Sequence, residues 1–254
     1  MLDGACVIHA AFLHPERASG FTKQLTSVGL EDFCIIHSKP VPETDPRLTT
    51  FTHYPHNARA NLSLIDAWIK SVRHAQDNNW KIAAIFEDDI VFRANFDSLW
   101  SDIEPELATR DWDILTLHRF PMDLLILESR NEPTSLVDIS YNLTTHCVVI
   151  KSSAYSCLIA SLNECITRGI AIDFFYAHAA RALGCKIIAT TKNLTGQNSS
   201  YKSSIQSHSM AVGSFYKTFR CCETSLEYNV IKSIFSLSLA ARKCSQKLKA
   251  WIEL

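Results

Sequence analysis

The chain contains little glycine. Only seven of its 254 residues are glycine, and the phosphate-binding pattern GxxxxGK does not occur. A glycine-rich loop that holds nucleotide phosphates with its backbone is therefore missing, which weighs against nucleotidyl or phosphoryl transfer. Carboxylate-bound Mg²⁺ could also serve that chemistry, so this alternative is disfavoured rather than excluded.

Long apolar runs are also missing. No stretch approaches the ~20 consecutive apolar residues of a membrane-spanning helix. His9, His14 and Glu16 interrupt the apolar residues near the N-terminus, so no secretory signal is recognisable there. We therefore expect a cytoplasmic protein.

The chain has almost no net charge, since its formal charge is −1. Such a chain offers no general attraction for nucleic acid, and we discount that partner. Hydrophobic residues make up 47% of the sequence and charged residues 20%, which is typical of a globular protein. A chain of 254 residues is long enough to bury a sizeable core.

Paired cysteine motifs are absent as well. The nine cysteines are an odd number, form no CxxC pair and mostly lie in apolar stretches. We therefore expect buried thiols in a reducing compartment and no zinc site. The cysteines are Cys6, Cys34, Cys147, Cys157, Cys165, Cys185, Cys221, Cys222 and Cys244.

The most informative stretch is KIAAIFEDDIVF, from Lys81 to Phe92. Its apolar half has the length and composition of a buried strand, and it ends in three carboxylates, Glu87, Asp88 and Asp89. Because side chains alternate along a strand, Glu87 and Asp89 are expected on one face and Asp88 on the other. Two like charges on one face favour a cation between them, and oxygen ligands suit Mg²⁺ or Mn²⁺, which bind diphosphate groups. A solvated acidic turn is the alternative interpretation.

Strands alternate with helices along most of the chain, which predicts an α/β fold with a mostly parallel sheet flanked by helices. Ligands of such folds bind beyond the carboxyl ends of the strands, where the acidic triplet falls. Strands are predicted at 6–12, 33–37, 82–86, 112–117, 145–150 and 185–190, helices at 15–28, 57–76, 96–107, 153–167 and 174–183, and irregular segments at 38–56 and 119–136.

The sequence predicts two parts, a domain over residues 1–209 and a helical extension over 210–254. Residues 192–209 form a polar loop that could fold over a ligand. Within the extension, residues 223–254 have a basic amphipathic pattern. Such a helix either lies on an anionic membrane surface or packs on the domain with a solvated basic face, and the pattern leaves both open.

Four stretches, taken in order, resemble the glycosyltransferase family 25 proteins, which include bacterial lipooligosaccharide galactosyltransferases and collagen galactosyltransferases. The resemblance covers roughly residues 5–206 and departs from the family at Leu64, Thr144, Val148 and Ser204, which leaves the acceptor open. The stretches are Val7-Ile8 with Arg17; Asn61-Leu62-Ser63 with Trp68; Ile85 to Ile90 with Trp112 to Leu115; and Thr145-His146, Ile172-Asp173 and Gln197 with Ser200, Ser203 and Ile205.

The resemblance implies a GT-A-like fold and transfer of a hexose, galactose or glucose, from a UDP-sugar to a glycan or glycolipid with inversion. A Mn²⁺ or Mg²⁺ ion would be held by Asp89, with Glu87 directly or through water, and Asp88 would lie nearer the donor's ribose or sugar. His208 is a further candidate metal ligand. The implied place is the cytosolic face of the inner membrane, in lipopolysaccharide biosynthesis, with peripheral membrane contact through the C-terminal helix.

An inverting displacement needs a base for the acceptor hydroxyl, and the resemblance points to Asp173. The alternative is that Asp173 caps the helix that follows it. Arg17, Gln197 and Lys202 are candidates for the donor's phosphates. His146 would contact the donor or acceptor, or be a structural histidine. A non-catalytic relative that binds sugar nucleotides or carbohydrates is the alternative function.

Overall fold

The computed structural model describes residues 2–52, 57–119, 135–139, 142 and 144–198. The predictions for Lys202, His208 and the helical extension lie outside the described residues. The boundary at residue 209 therefore stays a prediction.

A seven-stranded sheet forms the centre of the described domain. Its strands lie in the order β2-β1-β3-β7-β5-β8-β6, and five of the seven run in one direction, while β7 and β6 run against them. The strands are β1 (Gly4–His9), β2 (Cys34–His37), β3 (Ile82–Glu87), β5 (Ile114–Thr116), β6 (Leu136–Ile139), β7 (Cys147–Lys151) and β8 (Ile187–Thr190).

Helices cover both faces of this sheet. On one face α1 and α3 share a core with β1, β3 and β5. On the other face α2 lies over β1, where the Cys6 thiol approaches the Ser71 carbonyl oxygen, and packs with α4 and α5. The helices are α1 (Arg17–Ser27), α2 (Ala58–Asp77), α3 (Phe96–Thr109), α4 (Tyr155–Arg168) and α5 (Phe175–Ala182), with short 3-10 helices at Pro46–Thr50, Ser152–Ala154 and Ile172–Phe174.

The predicted α/β fold with a mostly parallel, helix-flanked sheet is confirmed, and this layered arrangement agrees with a GT-A-like architecture. The helical period in α2 places Leu62, Ile65 and Val72 in the core, because residues three and four apart share one face. The helix after β1 ends before Gly29, whose φ of 72° is a left-handed conformation that glycine adopts without steric cost.

Two features depart from the expected pattern. The segment predicted to be irregular ends in β6, and the polar loop begins with a strand, β9 (Thr195–Gln197). This strand pairs in antiparallel register with β4 (Ile90–Phe92), so that Ile90 lies opposite Gln197. The two-stranded ribbon brings the polar loop beside the acidic triplet, although 108 residues separate Asp89 from Gln197 in sequence.

The cysteine prediction is partly wrong. A disulfide joins Cys157 in α4 to Cys185, which follows α5, so these two residues are not free thiols. Cys157 lies within α4, and Cys185 follows α5, which packs against α4. Their sequence spacing of 28 residues does not indicate this proximity. Cys6, Cys147 and Cys165 are free and buried, as expected, and Cys34 is free and partly buried.

Within the described ranges, none of the helices is both long enough and apolar enough to cross a membrane.

Candidate functional site

The acidic triplet lies at the carboxyl end of β3. Glu87 is the last residue of β3, Asp88 and Asp89 form the turn, and Ile90 begins β4. The carboxyl end of β1 lies alongside, since Ile8 pairs with Glu87. The expected position at the carboxyl edge of the sheet is therefore correct, and the alternation along the strand separates Asp88 from Glu87.

Asp88 is fully engaged with neighbouring residues. Its Oδ1 accepts from Arg17 at 2.7 Å, and its Oδ2 accepts from the backbone N–H of Ala10 at 3.1 Å and lies 2.7 Å from Nδ1 of His9. Asp88 is 5% exposed and Arg17 3%. This buried ion pair joins the end of β3 to β1 and α1.

The geometry gives Asp88 and Arg17 a structural task that the sequence did not suggest. Both were predicted to bind the donor, but their charged groups face each other in the core. A donor at either group would compete with a buried ion pair, and loss of one partner of such a pair leaves an uncompensated charge in the core. His9, which shares Asp88, was missed because a lone histidine in an apolar strand gives no sequence signal.

Glu87 and Asp89 are engaged far less. Glu87 Oε1 accepts from the Thr145 hydroxyl at 2.5 Å. Asp89 Oδ2 lies 3.4 Å from Nε2 of Gln197, a long contact, and Asp89 Oδ1 is buried with no hydrogen-bond partner among the described residues. In the described part of the chain neither carboxylate forms an ion pair.

These two carboxyl groups hold protons more tightly than usual. Burial raises the pKa of Glu87 to about 8, and the charges of Asp89 and Asp173 add to the effect. Burial raises the pKa of Asp89 to about 6, with a further contribution from the charge of Asp88, while Arg17 opposes the shift. Partly buried carboxylates that repel each other are the arrangement that a cation relieves.

The charge of Asp173 contributes to the raised pKa of Glu87. Asp173 sits inside the 3-10 helix Ile172–Phe174, directly before α5. Ala171 and Phe174 hold the N-cap positions of this turn and of α5, so the structure does not place Asp173 at the cap position of the alternative interpretation. Burial raises the pKa of Asp173 to about 7.

The carboxylates fit a divalent ion only with help from other ligands. No group of three or more His, Cys, Asp or Glu side chains is arranged to hold a metal ion within the described part of the chain. Mg²⁺ and its analogues, however, are commonly held by one or two carboxylates, with waters and substrate phosphates filling the remaining positions. Glu87 and the unpartnered Oδ1 of Asp89 provide oxygen donors of that kind.

Two histidines lie at the same edge of the sheet, His118 after β5 and His146 before β7. His146 is 3% exposed, and its ring centroid is 4.5 Å from that of the partly buried His118. Burial lowers the pKa of both rings, well below the usual value for His146, so both are neutral at pH 7. The sequence singled out His146, but His118 was missed because it stands at the start of a segment with no pattern.

A buried hydrogen-bond network supports this region. Asn142 donates through Nδ2 to the Thr116 hydroxyl at 2.8 Å and to the His118 carbonyl oxygen at 3.0 Å. The Tyr176 hydroxyl donates to the Thr144 carbonyl oxygen at 2.9 Å. Tyr176 lies in α5, so the network links the helix that follows Asp173 to the ends of β5 and β7.

The structure therefore brings together five of the predicted site residues, Glu87, Asp89, His146, Asp173 and Gln197. It adds exposed Arg93, which follows β4 and whose charge contributes to the lowered pKa of His118. Arg93 was missed from the sequence, because its position depends on the β4–β9 ribbon.

Comparison with known proteins identifies no family. No family model matches the chain, and no curated protein matches it. Among solved structures, the chain is similar to a glycosyltransferase involved in the glycosylation of the major capsid of PBCV-1, at 11% identity and a TM-score of 0.34, over 64% of this chain and 66% of that one. It is also similar to A197 from STIV, at 8% identity and a TM-score of 0.36, over 81% of this chain and 100% of that one.

Similarities this distant carry no functional argument. The fold and the site define an α/β domain whose central strand ends in uncompensated carboxylates, and the functional conclusion has to come from that site.

Proposed function

We propose that the chain is a metal-dependent glycosyltransferase, related to family 25, that transfers a hexose, galactose or glucose, from a UDP-sugar to a glycan or glycolipid with inversion. The observation that supports it is the gathering of Glu87, Asp89 and Asp173 at the carboxyl end of β3. In the described structure these carboxylates pair with no cation. The motifs that resemble family 25 include these carboxylates.

Glu87 and Asp89 would hold a Mn²⁺ or Mg²⁺ ion. When bound, such an ion neutralises the charge that develops on the leaving diphosphate. The raised pKa values of both carboxyl groups fit this role, because each group is unstable as an isolated anion and gains from a cation. His208 stays a predicted additional ligand.

Asp173 would act as the base. It removes the proton of the acceptor hydroxyl as that oxygen attacks the anomeric carbon, and the bond from this carbon to the diphosphate oxygen breaks on the opposite face. A base works best when its pKa lies near the working pH, and the pKa of Asp173 is raised to about 7.

The donor's phosphates would be bound by Arg93, Gln197 and the predicted Lys202. Arg17 and Asp88 are better suited to positioning the acidic turn, because their charged groups already neutralise each other. This division of tasks differs from the one that the resemblance implied.

A non-catalytic protein that binds sugar nucleotides or carbohydrates is the second candidate. The pairing of Arg17 with Asp88 favours it, since two residues that the resemblance assigns to the donor are withdrawn from the ligand. Such a protein would gain thermal stability with a sugar nucleotide and release no UDP.

The decisive experiment is a screen of UDP-, GDP- and CMP-sugars with Mn²⁺, following release of the nucleotide by the full-length chain. We expect release from a UDP-sugar and none after Asp89→Ala. Asp97→Ala changes an exposed carboxylate in α3 and is the matched control. Nucleotide release that survives in Asp89→Ala contradicts the metal assignment, and stabilisation without release selects the second candidate.

The acceptor and the membrane contact stay predictions. A glycolipid acceptor at the cytosolic face would suit the basic C-terminal segment, and binding of the full-length chain to anionic vesicles tests that contact.

A further inference from the structure

His118 presents an unassigned polar group at the edge of the sheet where the carboxylates lie. Its Nδ1 lies 2.7 Å from the carbonyl oxygen of Thr195. A carbonyl oxygen only accepts, so Nδ1 carries the proton, and Nε2 of the neutral ring is an acceptor. The bond fixes the ring to β9, the strand that also carries Gln197.

His146 supplies a second polar atom at the same place. Its Nε2 is buried and has no hydrogen-bond partner within the described ranges, although the residue is only 3% exposed. A buried polar atom without a partner lowers stability, and native proteins rarely leave one without a reason. A ligand or a water molecule that completes its bonding is such a reason.

The segments that carry or hold the two histidines contact the candidate metal site. The Glu87 backbone N–H donates to the His146 carbonyl oxygen at 3.1 Å. Thr145, the residue before His146, holds the Glu87 carboxylate. His118 is bonded to Thr195, two residues before Gln197, whose Nε2 lies 3.4 Å from Oδ2 of Asp89. Each histidine is therefore attached to a segment that contacts one of the two carboxylates.

The position of His118 is fixed before any ligand arrives. Its carbonyl oxygen accepts from Nδ2 of Asn142 at 3.0 Å and from the Thr144 hydroxyl at 2.9 Å. Together with the bond from Nδ1 to Thr195, these contacts hold both the backbone and the ring. A side chain fixed in this way provides directional recognition, because little entropy is lost when a ligand binds.

We propose that His118 and His146 form the subsite that hydrogen-bonds the hydroxyl groups of the transferred sugar, with His118 as a specificity-determining residue. The proposal rests on the proposed function and names the part of the donor that this side of the site contacts. The bond from Nδ1 to Thr195 leaves Nε2 of His118 as an acceptor, and the unpartnered Nε2 of His146 is a further polar nitrogen, so both suit hydroxyl groups. A diphosphate, in contrast, is usually bound by cations and metal ions.

Two variants of His118 separate ligand contact from structural support. In His118→Asn the amide can replace Nδ1 and keep the bond to Thr195, but nothing replaces Nε2. In His118→Gln the longer side chain places its amide near the position of Nε2. The dissociation constants of UDP, UDP-glucose and UDP-galactose are measured for the full-length chain with Mn²⁺, together with the thermal unfolding of each variant.

We expect His118→Asn to bind UDP as the wild type does and to bind its preferred UDP-sugar about tenfold more weakly, as the loss of one hydrogen bond predicts. His118→Gln should lose less. If the wild type binds the UDP-sugar but His118→Asn weakens UDP and UDP-sugar equally, or neither, the subsite proposal alone is wrong. If the wild type binds neither UDP nor a UDP-sugar, the proposed function itself fails and the subsite falls with it.

Discussion

The carboxylates of the acidic turn differ in whether they have a cationic partner. On one face Asp88 is neutralised by Arg17 and receives further contacts from His9 and the Ala10 backbone. On the other face Glu87 and Asp89 have no cationic partner among the described residues, and Asp173 adds a third negative charge. The charge of Asp88 is paired within the fold, whereas we propose that Glu87 and Asp89 bind a ligand.

The ion pair of Asp88 explains how the fold tolerates three consecutive carboxyl groups. The ion pair of Asp88 anchors the turn to β1 and α1, so the repulsion among the remaining carboxylates does not displace it. The charge that is paired within the fold and the carboxylates proposed to bind a metal ion thus lie one residue apart in sequence. The comparison makes opposite predictions for stability and activity on the two faces.

The largest effect is expected for Asp173→Asn. Removing a general base typically reduces turnover about 10²- to 10⁴-fold, and the amide retains the shape of the side chain. Stability should be unchanged or higher, because a buried negative charge is removed. Turnover of a UDP-sugar and urea unfolding measure both quantities. Near-normal turnover would remove Asp173 from the mechanism.

Arg17→Met should show the reverse pattern, with a large loss of stability. It leaves Asp88 as a buried charge without its cation, which costs about 3–5 kcal/mol in the free energy of unfolding. Urea unfolding of Arg17→Met is compared with Arg168→Met, which breaks an exposed pair with Glu164 and should cost about 0.5 kcal/mol or less.

A double variant tests the cause of that loss. Arg17→Met with Asp88→Asn should recover at least half of it, because no unpaired charge remains in the core. If the double variant is no more stable than Arg17→Met, the loss comes from packing around Arg17 rather than from the charge of Asp88.

The pH dependence of stability reports the raised pKa values of Glu87 and Asp173. The pKa of Glu87 is raised from 4.5 to about 8, and that of Asp173 from 3.8 to about 7. Between these limits the folded chain keeps protons that the unfolded chain releases. The stabilisation is therefore complete below about pH 4 and is lost as the pH rises through 7 and 8.

Urea unfolding at pH 5, 7 and 9 in the presence of EDTA checks this prediction. The free energy of unfolding should fall with rising pH, and Glu87→Gln should reduce the fall by on the order of 2 kcal/mol. Mn²⁺ should reduce the fall in the wild type as well. An equal fall in wild type and Glu87→Gln would show that the pKa of Glu87 is not raised in the folded chain.

The smallest effect is expected for Thr145. Thr145→Val keeps the branched shape but removes the hydroxyl that donates to Glu87 at 2.5 Å. Groups that orient a metal ligand contribute about tenfold or more to metal affinity, so Mn²⁺ binding should weaken by about that factor. Thr145→Ser keeps the hydroxyl and should bind Mn²⁺ as the wild type does.

Local pattern predicted most of the fold. The period of α2, the apolar run of β3 and the stop at Gly29 each depend on residues close in sequence, and each prediction holds. The strands β6 and β9 were missed because both are three or four residues long and owe their structure to pairing with β8 and β4. Short strands of this kind have too few residues for a reliable pattern.

The site was predictable where the chemistry is concentrated in one stretch. Three carboxylates directly after an apolar strand form a pattern that the sequence shows. His118, Arg93 and His9 were not predictable, because each gains its role from a partner far away in sequence. The disulfide between Cys157 and Cys185 was missed for the same reason.

The central claim is that Glu87 and Asp89 hold a divalent ion that binds the diphosphate of a sugar nucleotide. Titration of the full-length chain with Mn²⁺, followed by the electron paramagnetic resonance signal of free Mn²⁺ with and without UDP, tests it most directly. We expect one Mn²⁺ site whose affinity rises when UDP is present. The affinity for Mn²⁺ should fall at least about tenfold in Asp89→Asn and stay unchanged in Asp97→Asn. Equal Mn²⁺ binding by wild type and Asp89→Asn would contradict it.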